Sequence, residues 1–246
     1  MSETTTGRDY SRFNQYLPSL AEQARILKEA VDKVGAKYGF VASAYDWIQE
    51  RLSSLELDDD HPQSIQDCDV LVLWLGDLRD TLRFYQQLVE YRQTQAGANA
   101  NWYTVNFKKL RMELHETAYQ YPAGQLGVYV VRGLNLVDNW DYEDGSSVKR
   151  ARETTQAKRN AGEEHFLASI EALALYATAS PELYQSQDGA NLPYYDLVGI
   201  ASGDGLDMSL YSFWFAGNRG VDFDSCNVDD VGSICAQPSF RDCLVN

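Results

Sequence analysis

Apolar positions step by four and three along Leu20, Ala24, Leu27, Val31 and Val34, which places them on one stripe of a helix. Ser19 to Glu22 has the form of a capping box in front of that stripe, and Gly35 or Gly39 can end the element. A second helix is predicted over 40–57, with Ala44, Trp47, Ile48, Leu52 and Leu55 inward. Asp58 to Gln63, with three adjacent carboxylates and a proline, reads as a solvated turn. Ser64 to Asp67 then offers a further helix start. Cys68, Leu71, Leu75, Leu78, Leu82, Tyr85 and Val89 follow at steps of three and four, the longest regular stripe in the chain. Such a stripe suits a helical bundle or an intermolecular coiled coil.

A fourth helix is predicted over Trp102 to Tyr119, with Phe107, Leu110 and Leu114 on one side and Pro122 and Gly124 as its stop. Gln125 to Val137 fits either a strand or a buried connector, because β-branched residues and tyrosine favour the former and its place between helices the latter. From Ser147 to Ala179 the chain reads as helix, amphipathic in its second half through Phe166, Leu167, Ile170, Leu173, Ala174 and Ala177. The last 63 residues hold nine aspartates, seven glycines and neither glutamate nor lysine, which is turn-forming material. Within them Met208 to Phe215 predicts a strand buried on both faces. The fold class expected is therefore mainly α: a bundle of about five helices with a C-terminal Gly/Asp/aromatic-rich region of loops and short strands. Its organisation reads as a polar lead over 1–18, a helical body over 19–183 and an irregular region over 184–246, packed on the body or on a neighbouring subunit.

Charge narrows the partners. With 21 basic against 36 acidic residues the formal net charge is −15, so most of the surface repels phosphate backbones and anionic membranes. The longest strongly apolar run, Val70 to Leu75, is far too short to span a bilayer, and the first residues lack a basic and then apolar leader. A cytoplasmic protein, or one built into a particle assembled in the cytoplasm, is expected. Cys68, Cys226, Cys235 and Cys243 form no CxxC pair and read as reduced thiols, although Cys226 and Cys235 are placed to close a small loop under oxidising conditions.

No metal or cofactor is expected. Glu113, His115 and Glu116 lie close together, but the Glu and His at i and i+3 that a di-metal bundle needs are missing. Asp222 to Asp230 lacks the central glycine and terminal glutamate of a calcium loop. Gly199 to Gly205 has neither the G-x-S-x-G elbow nor a phosphate-binding loop.

Five cations, Lys149, Arg150, Lys158, Arg152 and Arg159, fall within eleven positions of this acidic chain. On a helix Lys149, Arg152, Gln156 and Arg159 share one face, and positive charge near a helix N-terminus opposes the macrodipole, so helix stability does not ask for it. The five are the expected partner-binding residues, a docking face for an acidic protein or for another copy of this chain. Sixteen tyrosines add material suited to interfaces. The function expected is that of a non-enzymatic structural or adaptor protein acting through oligomeric assembly, such as a virion component or part of another bacterial complex.

The same segment carries an alternative. Arg159, followed by Asn160, and then His165 is similar to the R-x(4-6)-H signature of HEPN ribonucleases. The resemblance covers seven residues and implies a helical, metal-independent RNA-cleaving protein, with His165 handling protons and Arg159 stabilising charge on the phosphate.

Overall fold

A computed structural model of the chain describes residues 9–38, 42–57, 62–97, 99–101, 111–139, 146–187, 191–203, 207–215, 220–232 and 235–245. The first helix, α1 (Leu20–Tyr38), begins at the capping pattern: Ser19 Oγ accepts from the Glu22 N–H at 3.2 Å. Leu20, Ala24, Leu27 and Val31 are buried as their spacing requires. The second, α2 (Ala42–Ser54), buries Ile48 and Leu52.

The long stripe from Cys68 to Val89 is two elements. A strand, β1 (Cys68–Leu75), comes first, then Gly76 at φ +85°, then α3 (Leu78–Gln95). Seven of the eight β1 residues are buried. A strand covered on both faces shows an unbroken apolar run, from which a helical step can be picked out by chance. A Cβ on Gly76 would lie 3.1 Å from the backbone at Gly124 and Gln125, so the turn needs glycine for space as well as for its positive φ. Asp77 then caps α3, its carboxylate accepting from the N–H groups of Arg79 and Asp80.

Beyond α3 come β2 (Asn99–Asn101), β3 (Met112–Leu114), β4 (Leu126–Leu134), β5 (Ser146–Ser147) and α4 (Val148–Asn160). They are followed by β6 (Phe166–Leu167), α5 (Ile170–Thr178), α6 (Pro181–Gln185), β7 (Tyr194–Ser202), β8 (Met208–Phe215) and β9 (Gly220–Asn227). The chain ends with β10 (Val231–Gly232), β11 (Cys235–Ala236), β12 (Ser239–Phe240) and β13 (Asp242–Val245). Two sheets organise these elements. One is antiparallel in the order β1-β4-β13; the other runs β11-β7-β8-β9-β2, with β3 also paired to β7. Smaller pairs join β10 to β5 and β12 to β6.

The fold is thus mixed, and the expectation of a mainly α helical bundle is corrected. Gln125 to Val137 contains the central strand of the first sheet. Residues 112–114 of the expected fourth helix are strand β3, while 102–110 lie outside the described residues, as does His61. The expected helix from Ser147 to Ala179 is broken at Gly162, φ +86°, into α4 and α5 with β6 between. Strand β8 forms where the aromatic run predicts one. Region 184–246 is hydrogen-bonded into what precedes it through β13 on β4 and β3 on β7.

The core lies between the first sheet and the helices. All nine residues of α5 are buried, and α5 packs on α3 and β1. The exposed edge of β1 is closed by side chains. The N–H groups of Leu71, Leu73 and Leu75 donate to Gln23 Oε1 (2.8 Å), Tyr85 OH (2.7 Å) and Thr81 Oγ1 (3.0 Å), while Gln23 Nε2 donates to the Asp69 carbonyl at 2.9 Å. Neutral groups from α1 and α3 thereby replace the strand that would otherwise pair there. Among the described residues seven tyrosines are buried, Tyr85, Tyr121, Tyr176, Tyr184 and Tyr195 among them, so a good part of the tyrosine content is core.

Candidate functional site

The basic segment forms α4. Ser147 caps it, its Oγ accepting from the Arg150 N–H at 3.2 Å, and the helix gives way at Asn160 before Gly162. Its inward residues are Val148, Ala151, Arg152 and Thr155. Val148 and Ala151 pack with Leu167 and Val198, and this small apolar cluster holds α4 against β7. On β7, Gly199 leaves room for two other segments: a Cβ there would meet Leu167 O and Ser169 Cβ at 2.8 Å and Ala118 Cβ at 2.9 Å. β6 with the residues just after it and the segment after β3 therefore close over β7, and His115 N–H donates to the Gly199 carbonyl at 2.9 Å.

Arg152 fills a defect in the second sheet. Leu197 pairs with Leu210 and Ser202 with Met208, so β7 carries residues 198–201 against Ser209 alone on β8. Inside this irregularity the carbonyls of Val198 and Ile200 accept from Arg152 Nε (3.2 Å) and Nη2 (3.0 Å). Arg152 is 9% exposed, and its guanidinium has no carboxylate partner among the described residues. Burial pushes it down to about 10, which records the cost of holding an unanswered cation there.

A groove of about 560 Å³ opens over this arginine. Its floor is His115, Thr117 and Arg152, its wall Gln156 and Asn160. Thr117 N–H donates to His115 Nδ1 at 3.2 Å, and the Thr117 hydroxyl lies 2.8 Å from the same nitrogen. Burial first, and the nearby Arg152 charge second, hold the imidazole down to about 4, so it is neutral at pH 7. At the rim Lys149 Nζ donates to Asp229 Oδ1 at 2.9 Å, and Glu116 and Glu153 add two carboxylates.

The predicted cations have diverged in role. Lys149 is exposed and paired with Asp229; Arg150 is exposed with no ion pair among the described residues. Arg152 is structural. Lys158 Nζ lies 3.4 Å from His165 Nε2, while Arg159 donates to the Glu116 carbonyl and covers the Phe166 ring at 5.4 Å. His165 is largely buried beside Lys158, with Asp138 Oδ2 3.9 Å away, and burial followed by the Lys158 charge lowers its pKa. Arg159 and His165 therefore face different partners, and the helical scaffold implied by the ribonuclease resemblance is absent.

Sequence reasoning missed the groove floor. His115 sat in a stretch read as helix, and the carbonyls that hold Arg152 lie 46 and 48 residues away in sequence. The one local signal was Gly199 within an apolar strand, a mark of close backbone approach.

Among the described residues three buried carboxylates lie outside the groove, and one of them, Asp69, is ion-paired with Arg132. Glu171 accepts from Tyr121 OH at 2.6 Å and from the Ser169 N–H and hydroxyl, and burial raises its pKa. Asp196 accepts from Gln237 Nε2 at 2.9 Å, and burial pushes it up to about 7. Cys226 and Cys235 border Asp196 as free thiols on β9 and β11, with β7 and β8 between those strands, and burial raises both. Among the described residues no three His, Cys, Asp or Glu side chains are grouped to hold a metal ion. No described helix is long and apolar enough to cross a membrane. Compared with family models, with curated proteins and with solved structures, the chain matches none.

Proposed function

We propose that this is a non-enzymatic structural or adaptor protein that works by assembly, docking an acidic surface, foremost that of another copy of this chain, on the N-terminal end of α4. One observation carries the reading. Lys149, Arg150 and Arg152 crowd the first turns of a helix with no acidic residue in its first turn, where the helix dipole is itself positive. Asp229, at the exposed Lys149, is the one carboxylate ion-paired to these three among the described residues. On a molecule of net charge −15 the exposed Lys149 and Arg150 form a basic edge beside the groove's carboxylates, and such an edge on one copy facing acidic surface on the next gives a heterologous contact.

Docking is assigned to Lys149 and Arg150, the two exposed members: Lys149 has only the exposed Asp229 as partner, whereas Arg152, Lys158 and Arg159 are less exposed and engaged with β7, His165 and the Glu116 carbonyl. The described surface also favours a charged contact: Leu244 is the one large apolar side chain exposed on it. The test is the absolute mass of the purified protein by light scattering at low and at high salt. A discrete oligomer that dissociates as salt rises is expected. A monomer at both salts overturns self-assembly.

A further inference from the structure

We infer that the groove on α4 is a binding site for a small zwitterion, with its carboxylate on the floor against Arg152 and its ammonium at the acidic rim. The inference does not depend on assembly. It starts from Arg152, whose Nε and Nη2 are used on strand carbonyls and whose Nη1 has no partner among the described residues. A buried cation without an anion is costly, and a carboxylate entering the groove removes that cost by a charge-assisted bond. His115 adds a neutral ring, and Gln156 Nε2 donates to Asn160 Oδ1 at 3.0 Å, which leaves the Asn160 amide N–H groups at the groove wall as donors. Arg152 is thus the charged donor at the floor.

The rim has the opposite sign. Glu116 and Glu153 line the groove with no ion pair among the described residues, and Asp229 is shared with Lys149. A lone anion would meet these carboxylates on the way in, and a lone cation would meet Lys149 and Arg152. A ligand carrying both charges, separated along its length, answers both ends. That is the chemistry of an amino acid or a related amino carboxylate, and about 560 Å³ accommodates one.

The experiment titrates the whole protein with ω-amino acids of increasing chain length, following binding by calorimetry, alongside monocarboxylates and alkylamines of matched length. One length of ω-amino acid should saturate a single site about fivefold more tightly than its matched carboxylate, since an exposed rim pair adds a modest term, and the amines should not bind. Gln156→Glu, which puts a carboxylate beside the floor, should abolish binding while circular dichroism and thermal melting stay native. The double variant Glu116→Gln/Glu153→Gln should bind carboxylate and zwitterion alike. Absence of saturable binding by any probe overturns the site, as does unchanged binding in Gln156→Glu. Equal affinity of the unaltered protein for zwitterion and carboxylate overturns the role of the rim.

Discussion

Both sheets contain a stretch of backbone with no neighbouring strand to bond, and each is closed by side chains, but with opposite electrical results. At the edge of β1, neutral Gln23, Tyr85 and Thr81 complete the ladder and leave no charge behind. In the irregularity of β7, Arg152 does the same task and leaves a guanidinium inside the protein. The first solution makes a dry, inert edge beneath α1 and α3. The second makes a floor with unused hydrogen-bonding capacity under an open groove, and the contrast locates the candidate site.

The largest effect should come from removing the charged closure. Arg152→Ala strands two buried carbonyls and should lower stability by about 4 kcal/mol in urea unfolding, because bonds to a charged donor are the stronger class. Gln23→Ala is its neutral counterpart, with about 2 kcal/mol expected. Equal losses would erase the distinction between the two closures.

The second sheet also buries a carboxyl group, Asp196, and its titration sharpens the same contrast. Its folded pKa of about 7 lies above the ordinary carboxylate value. Between about pH 4 and 7 the folded protein therefore keeps a proton that the unfolded chain has released, so this group's contribution falls as pH rises through that window and is level above it. Asp196→Asn should abolish that slope and, near neutral pH, raise stability by about 3 kcal/mol relative to the parent. Unfolding midpoints of both proteins across pH 4 to 8 decide it.

His115 acts in the reverse direction. Its folded pKa is held down to about 4, so the unfolded chain takes up a proton first as pH falls below about 6.5, and stability is lost from there toward pH 4. The ring is half-buried, which limits the effect to about 1 kcal/mol after solvent screening, and His115→Gln should remove it. The smallest change belongs to the rim pair: Lys149→Ala should shift stability by less than about 1 kcal/mol, since both partners are exposed. A larger loss would make Lys149 a structural residue and remove it from the docking surface.

These differences also explain what the sequence could disclose. The start of α1 was legible because its signals are local: a capping serine and a glutamate three residues on. Strand β8 was legible from its aromatic and apolar run. The basic segment was found as a helix, and its N-terminal cations remain the docking proposal. What stayed hidden depends on long-range backbone geometry. Nothing near Arg152 announces the gap between Leu197 and Ser202, and nothing near Gln23 announces the free edge of Asp69 and Leu71. The apolar run of β1 misled for a related reason: an element covered on both faces loses the periodicity that separates strand from helix.

The central claim is that the three N-terminal cations of α4 divide into a buried arginine that completes a sheet and an exposed pair, Lys149 and Arg150, proposed to meet an acidic partner. Sedimentation equilibrium of the parent and of Lys149→Glu/Arg150→Glu, both at low salt and with native circular dichroism, tests it most directly. The account predicts an oligomeric parent and a folded, monomeric double variant. Identical masses for the two proteins would contradict it.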